Sequence, residues 1–163
     1  MTTTALPLSA SPLQIERHEF LDIEVHAAEG HETHTSLSLD IDRTCVRHAD
    51  DPFRWRAELT VSFGGEIEGK PSVYSGRLRV VGYFVIHTNY PAEKSVQLIE
   101  VTGASILYGA CREMLANLTG RGSQGVVSLP SISFVPPKKA DAGIAQRDNL
   151  PPAKRSAKKP LAK

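Results

Sequence analysis

A chain of 163 residues with 40% hydrophobic and 23% charged content has the size and mix of one globular domain with tails. No apolar run approaches the roughly 20 residues of a membrane-spanning helix, and the opening MTTTALPLSASPL has neither the basic start nor the apolar centre of a signal peptide, so a cytoplasmic location is expected. The formal charge of +1 hides a division: residues 136–163 carry eight Lys or Arg against two Asp, a net +6, which leaves −5 on the rest.

Residues 1–13, rich in Thr, Ser and Pro, are expected to be flexible, residues 14–135 to form the ordered domain, and residues 136–163 to be a disordered basic tail. The tail interleaves five prolines with alanine and lysine, and cannot bury enough area to offset an ordering cost of about 1–2 kcal/mol per residue. It has no aromatic side chain to stack a base, so it can hold a polyanion by charge but not read its sequence.

Within the domain, residues 14–27 (QIERHEFLDIEVHA) alternate from Phe20 onward. Phe20, Asp22, Glu24 and His26 fall on one face and Leu21, Ile23 and Val25 on the other, as in a half-buried strand. Leu37, Leu39 and Ile41 alternate with Ser38, Asp40 and Asp42 in a second strand that continues towards Val46. After a turn at Asp50, Asp51 and Pro52, a third strand puts Phe53, Trp55, Ala57, Leu59, Val61 and Phe63 on one face. Gly64-Gly65 and Lys70-Pro71 frame a hairpin loop, and a fourth strand over residues 73–87 aligns Leu78, Val80, Gly82, Phe84 and Ile86. The four are expected to run as a meander.

Pro91 and Glu93 suit the first turn of a long helix, since proline needs no partner for a missing N–H and a carboxylate favours the positive dipole end. Its apolar stripe is expected at Val96, Ile99, Leu107, Ala110, Met114 and Leu118, with Gly103 filling the gap. A glycine there costs about 1 kcal/mol against alanine and marks a bend or a close backbone approach. Gly120 and Gly122 suit a left-handed cap after Thr119. Beyond it, residues 126–134 (VVSLPSISF) alternate apolar and polar but contain Pro130, so they read as an extended segment lying on something and not as a central strand. The fold class is α+β: a four-stranded antiparallel sheet, one long helix packed on it, and an extended crossover segment.

No catalytic constellation emerges, and binding rather than catalysis is expected. Gly64-Gly65-Glu66-Ile67-Glu68-Gly69-Lys70 has phosphate-loop spacing, yet Pro71 stands where Ser or Thr must hold magnesium, and the loop joins two strands. His26, His31 and His34 have metal-compatible spacing but straddle a turn, so no metal or cofactor is expected. Cys45 and Cys111, one in a strand and one in the helix, are expected to stay reduced.

Taken together, LSLDID, GYFVI, the helix GASILYGACREMLANLT, then RG and VSLPSISF resemble, in order and spacing, the SecB family of export chaperones. The resemblance covers residues 15–134. It implies a homotetramer, a dimer of dimers, that holds unfolded polypeptides in apolar grooves without ATP. The family's groove positions fall here on Leu37, Leu39, Ile41, Leu129, Ile132 and Phe134, although core burial beneath the helix would account for several of them equally well. Leu107 and Met114 are assigned to core or subunit contact, and Tyr108 is left open between these roles. Family members dock the translocation motor SecA on an acidic sheet face. Asp22 matches that face, but His26 and Arg77 stand where the pattern has glutamate, which weakens the case for the motor as a partner. The Pro136-Pro137-Lys138-Lys139 run excludes an immediate second helix, so the lid helix of many members is expected to be missing. Two alternatives follow: a dedicated chaperone guarding an antitoxin in a toxin–antitoxin system, and a module whose basic tail contacts nucleic acid.

Overall fold

The structure, a computed structural model, describes residues 10–29 and 33–136, and of Ile67 the backbone alone. The expectations for residues 1–9, for His31, for the basic tail and for a missing lid helix lie outside the described residues.

Strands β1 (Leu13–Ala27), β2 (Ser38–Arg47), β3 (Arg54–Gly64) and β6 (Tyr74–Ile86) form one antiparallel sheet in the order β1-β6-β3-β2. Between β3 and β6 lies a small hairpin, β4 (Glu66–Ile67) and β5 (Lys70–Pro71). Its two turn residues, Glu68 and Gly69, both have positive φ, 53° and 77°, as a tight two-residue hairpin turn demands. The expected phosphate-loop lookalike is therefore a hairpin, as its flanking strands required.

The central strands are those with the cleanest apolar alternation. Leu59 and Val61 of β3 stand opposite Val80 and Leu78 of β6, and all four are fully buried. The meander expectation is corrected in one respect: β2, β3 and β6 do follow one another, but β1 pairs with β6 at the opposite edge from β2, a Greek-key order.

The face assignment on β1 is corrected as well. Its register against β6 shifts between Phe20 and Asp22, so Leu21 is an extra residue with no partner of its own. Phe20, opposite Val80, is therefore half-buried against the core together with Val25, opposite Gly76, and Ile23, opposite Leu78, shares their face but is 45% exposed, whereas Asp22, Glu24 and His26 line the outer face. A second shift between Ile15 and Arg17 does the same for Glu16.

A helical region crosses the inner face. A 3-10 turn at Ala92–Lys94 leads into α1 (Ser95–Leu98), a π-helical turn at Ile99–Gly103, and α2 (Ala104–Thr119). The expected irregularity at Gly103 is this π turn. A Cβ at Gly103 would meet Ile99 and Phe84 only at 3.6 Å, so the glycine marks a bend and not a close approach. The close approach is at Gly82, where a Cβ would lie 2.7 Å from the Phe84 ring and 2.8 Å from a Leu107 methyl. That bare backbone lets α2 settle onto β6.

The buried stripe differs from the expected one. Ile99, Gly103, Ala104, Leu107, Tyr108, Cys111, Leu115 and Thr119 are buried, while Val96 and Leu118 are exposed and Ala110 and Met114 are half-buried. After Leu107, steps of three and of four residues both find apolar side chains, and packing selected the steps of four.

The left-handed cap is corrected too. Gly120 has φ −61° and ψ −16°, a right-handed conformation, and the chain end is closed by 2.9 Å bonds from Gly120 N–H to Ala116 O and from Gly122 N–H to Thr119 O. Gly122 is needed for space, because a Cβ there would overlap the hydroxyl of Tyr74.

Candidate functional site

The inner face of β2 continues past the helix as an open apolar strip. Leu39 and Ile41 stand opposite Phe63 and Val61 of β3. Together with Leu37 they are half-buried and packed against the edge of the core, as are Val127 and Phe134. Two residues beyond Ile41, the Arg43 guanidinium sits 5.5 Å from the centre of the Phe134 ring and donates a 2.8 Å hydrogen bond to Glu100 O. Four of the six expected groove residues, Leu37, Leu39, Ile41 and Phe134, thus lie half-buried at the rim of the core, whereas Ile132 is 38% exposed and is not packed against it. Leu129 is 1% exposed and belongs to the core.

Beside Leu37 runs the extended segment, residues 126–134. Pro130 lacks an N–H and cannot join a ladder. Among the described residues, the backbone of this segment makes no hydrogen bond to other backbone. Helix side chains hold it instead. Thr119 Oγ1 accepts from Val127 N–H at 2.9 Å and lies 3.3 Å from Val127 O. Arg112 Nε donates to Leu129 O at 2.9 Å, and Tyr108 Oη donates to Pro130 O at 2.8 Å. The Phe134 ring then meets Tyr108 edge-on, with centroids 5.9 Å apart. Each tether contributes about 0.5–1.5 kcal/mol and burial of Leu129 roughly 1.5–3 kcal/mol.

Alongside it, Leu37, Val73, Val126, Val127 and Pro130 border an open depression of about 370 Å³, and Val126 is 68% exposed. The polar holders Tyr108, Arg112 and Thr119 escaped the sequence reading as a set. Their spacing of four and seven residues, on one helix face, was the available signal.

The two residues expected at subunit contacts part company. Leu107 is 1% exposed within the single chain, its methyl against Gly82, so it has little surface left to share. Met114 is half-buried and lines, with Ile15, His18, Phe20, Ile106 and Ala110, an open cleft of about 500 Å³ between α2 and β1.

The outer sheet face is covered by paired charges. Arg77 donates to Asp22 Oδ2 from Nε at 3.0 Å and from Nη2 at 2.7 Å, and lies 3.8 Å from Glu24, which His26 meets at 3.0 Å. Glu58 bridges Arg79 and Arg56, the latter at 2.6 Å. The hydrogen bond from Arg79 holds the Glu58 carboxyl below the usual carboxylate range, and that from Arg56 adds to it. The three residues expected to bear on motor docking, Asp22, His26 and Arg77, thus form one cluster in which arginine already occupies the carboxylates.

Both cysteines are free; Cys111 is buried and Cys45 half-buried. Among the described residues no His, Cys, Asp and Glu gather in a metal-holding group, and no helix is long and apolar enough to cross a membrane.

No family profile matches the chain, and no curated protein matches it. Among solved structures, it is similar to the Mycobacterium tuberculosis Rv1957 SecB-like chaperone in complex with a ChAD peptide from the Rv1956 HigA1 antitoxin. The identity is 17% and the TM-score 0.55, over 74% of this chain and 88% of that one. A protein of unknown function from Streptococcus agalactiae matches at 14% identity and a TM-score of 0.44, over 76% of this chain and all of that one. The four-stranded antiparallel sheet, the helix across it and the match to the mycobacterial protein agree: this chain has the SecB-like fold.

Proposed function

We propose that this protein is an ATP-independent holdase that binds unfolded or non-native polypeptides in the trough between β2 and residues 126–134. The observation that carries the reading is the set of half-buried apolar side chains, Leu37, Leu39, Ile41 and Phe134, at one rim of a SecB-like fold, with Ile132 exposed on the segment that bears Phe134. Leu129 anchors the wall of the trough. Burying one client Leu or Phe yields roughly 1.5–3 kcal/mol, while fixing each client residue costs about 1–2 kcal/mol, so the contacts must be few, apolar and repeated. Assembly supplies the repetition: a homotetramer multiplies troughs at high effective concentration. Met114 and Ile106, in the cleft beside β1, offer the apolar area for such assembly.

The cellular task, export or protection of one client, divides on partners. Export through a SecA-type motor needs free carboxylates on the outer face, and here Arg77 neutralises Asp22 and sits near Glu24. The second reading, a dedicated guardian of an antitoxin, is favoured by that neutralisation and by the antitoxin peptide held by the mycobacterial relative.

The test is suppression of aggregation of a diluted unfolded protein, at stoichiometric amounts and without nucleotide. Replacing Leu37→Asp together with Leu39→Asp is expected to weaken protection roughly ten-fold or more, since two apolar anchors are lost, with circular dichroism unchanged. Equal protection by the parent and the double variant would refute the trough. Peptides co-purifying from the native host then separate the tasks: one recurrent partner indicates a guardian, a mixture of secretory precursors indicates export.

A further inference from the structure

We propose that residues 126–134 are an intramolecular occupant of the peptide site, and that Tyr108, Arg112 and Thr119 form a ladder that reads the main chain of an extended apolar polypeptide, first this segment and then a client in its place. The inference deepens the holdase reading and rests on it for the identity of the client.

Three features of the segment point this way. It is bound as a peptide would be: apolar anchors Val127, Leu129 and Phe134 go inward, while Ser128, Pro130, Ser131 and Ser133 stay exposed. Its backbone is held by side chains of α2, not by a strand. The groups recognised are the carbonyls of Leu129 and Pro130 and the N–H of Val127. Main-chain atoms are common to every polypeptide, so these donors and acceptor make no demand on sequence beyond apolar side chains at suitable intervals.

The arrangement also explains why a site for unfolded chains is not simply open. With the segment seated, Leu129 is enclosed and Tyr108 is covered by Phe134, so the apolar area shown to solvent is reduced. On release, Leu129 and Phe134 would add to the surface offered by Leu37, Leu39 and Ile41. An incoming chain must then compete with a covalently attached rival, and its apparent affinity falls by the fraction of molecules in which the site is vacant.

The experiment uses the full chain and a fluorescein-labelled peptide with the sequence of residues 126–135, read by fluorescence anisotropy. Leu129→Ser loosens the attached segment without touching the ladder and is expected to bind the peptide about ten-fold more tightly than the parent does. Adding Arg112→Ala to Leu129→Ser is expected to remove most of that gain. Should Leu129→Ser lose its folded circular dichroism signal, Val127→Ala serves as the milder loosening change, with the same expectations. Binding by the parent and the loosened chain within about two-fold of each other would overturn the inference, as would capture indifferent to Arg112→Ala. Capture of the peptide without protection of unfolded proteins would keep this inference and remove the holdase reading, whereas protection without differential capture would do the reverse.

Discussion

The hydroxyl of Tyr108 donates to the carbonyl oxygen of Pro130 at 2.8 Å, across 22 residues, and the Tyr108 and Phe134 rings meet in a T-shaped contact with centroids 5.9 Å apart. A single side chain on the buried face of α2 therefore grips the extended segment at its proline and near its end. Removing the grip should be felt locally first, because the backbone of the segment is tied to the helix by a few side chains, Tyr108, Arg112 and Thr119.

Tyr108→Phe keeps the ring contact and deletes the hydrogen bond. The expected cost is about 0.5–1.5 kcal/mol, confined to the segment. Amide exchange around residues 127–135 should accelerate while the unfolding midpoint of the whole domain moves little. A large fall in that midpoint would show the segment to be part of the global fold.

Two glycines should respond in opposite directions. Gly82→Ala would push a methyl into the Phe84 ring and the Leu107 methyl, and overpacking of this kind costs about 1–3 kcal/mol. Gly103→Ala meets nothing closer than 3.6 Å and should be neutral or stabilising by about 0.5–1 kcal/mol through helix propensity. Paired thermal melts check both, and equal shifts would contradict the account of how α2 sits on β6.

Burial pushes the Cys111 thiol from 9.0 up to about 12. In the folded state the proton is retained where the unfolded chain would release it. The stabilisation is thus complete below the unfolded value near 9 and is lost as pH rises through about 12. Stability of the parent should decline over that window, and Cys111→Ala should flatten the decline. At pH 8 an alkylating reagent should leave Cys111 untouched in the native protein and modify it after denaturation.

Glu58 gives the mirror-image case at low pH. Its carboxyl is held down first by the hydrogen bond from Arg79, so its contribution is present above the ordinary carboxylate range and lost as pH falls through the lowered folded value. Glu58→Gln leaves Arg56 and Arg79 facing each other without their shared anion. The variant should be less stable at neutral pH, and the difference from the parent should shrink on acidification, as followed by urea midpoints.

Much of the scaffold was legible because the signals are local. The alternation in β3 and β6, with Leu59, Val61, Leu78 and Val80 inward, is a period-two pattern that needs no knowledge of partners. The helix start at Pro91 and the break at Gly103 follow from backbone chemistry of single residues. Other features left no such trace. Nothing in the stretch from Phe20 to Asp22 announces that Leu21 is an extra residue, yet that one shift decides which face of β1 carries the carboxylates. The helix offers two adjacent apolar stripes, one through Cys111 and Leu115 and the other through Ala110 and Met114.

By itself, the sequence determined that an α+β domain would form, which faces of its central strands would be buried, and that Pro130 would keep the segment after the helix extended. These rest on periodicity and on the missing N–H of proline, both carried by neighbouring residues. Only the tertiary structure decided that β1 lies beside β6, which helix stripe is sealed, and that Tyr108, Arg112 and Thr119 hold the segment while Arg43 reaches across to Phe134. Those outcomes depend on contacts between residues far apart along the chain, as in the 57-residue separation bridged from Arg43 to Glu100, where the free energy of packing chooses among arrangements that local pattern leaves equivalent.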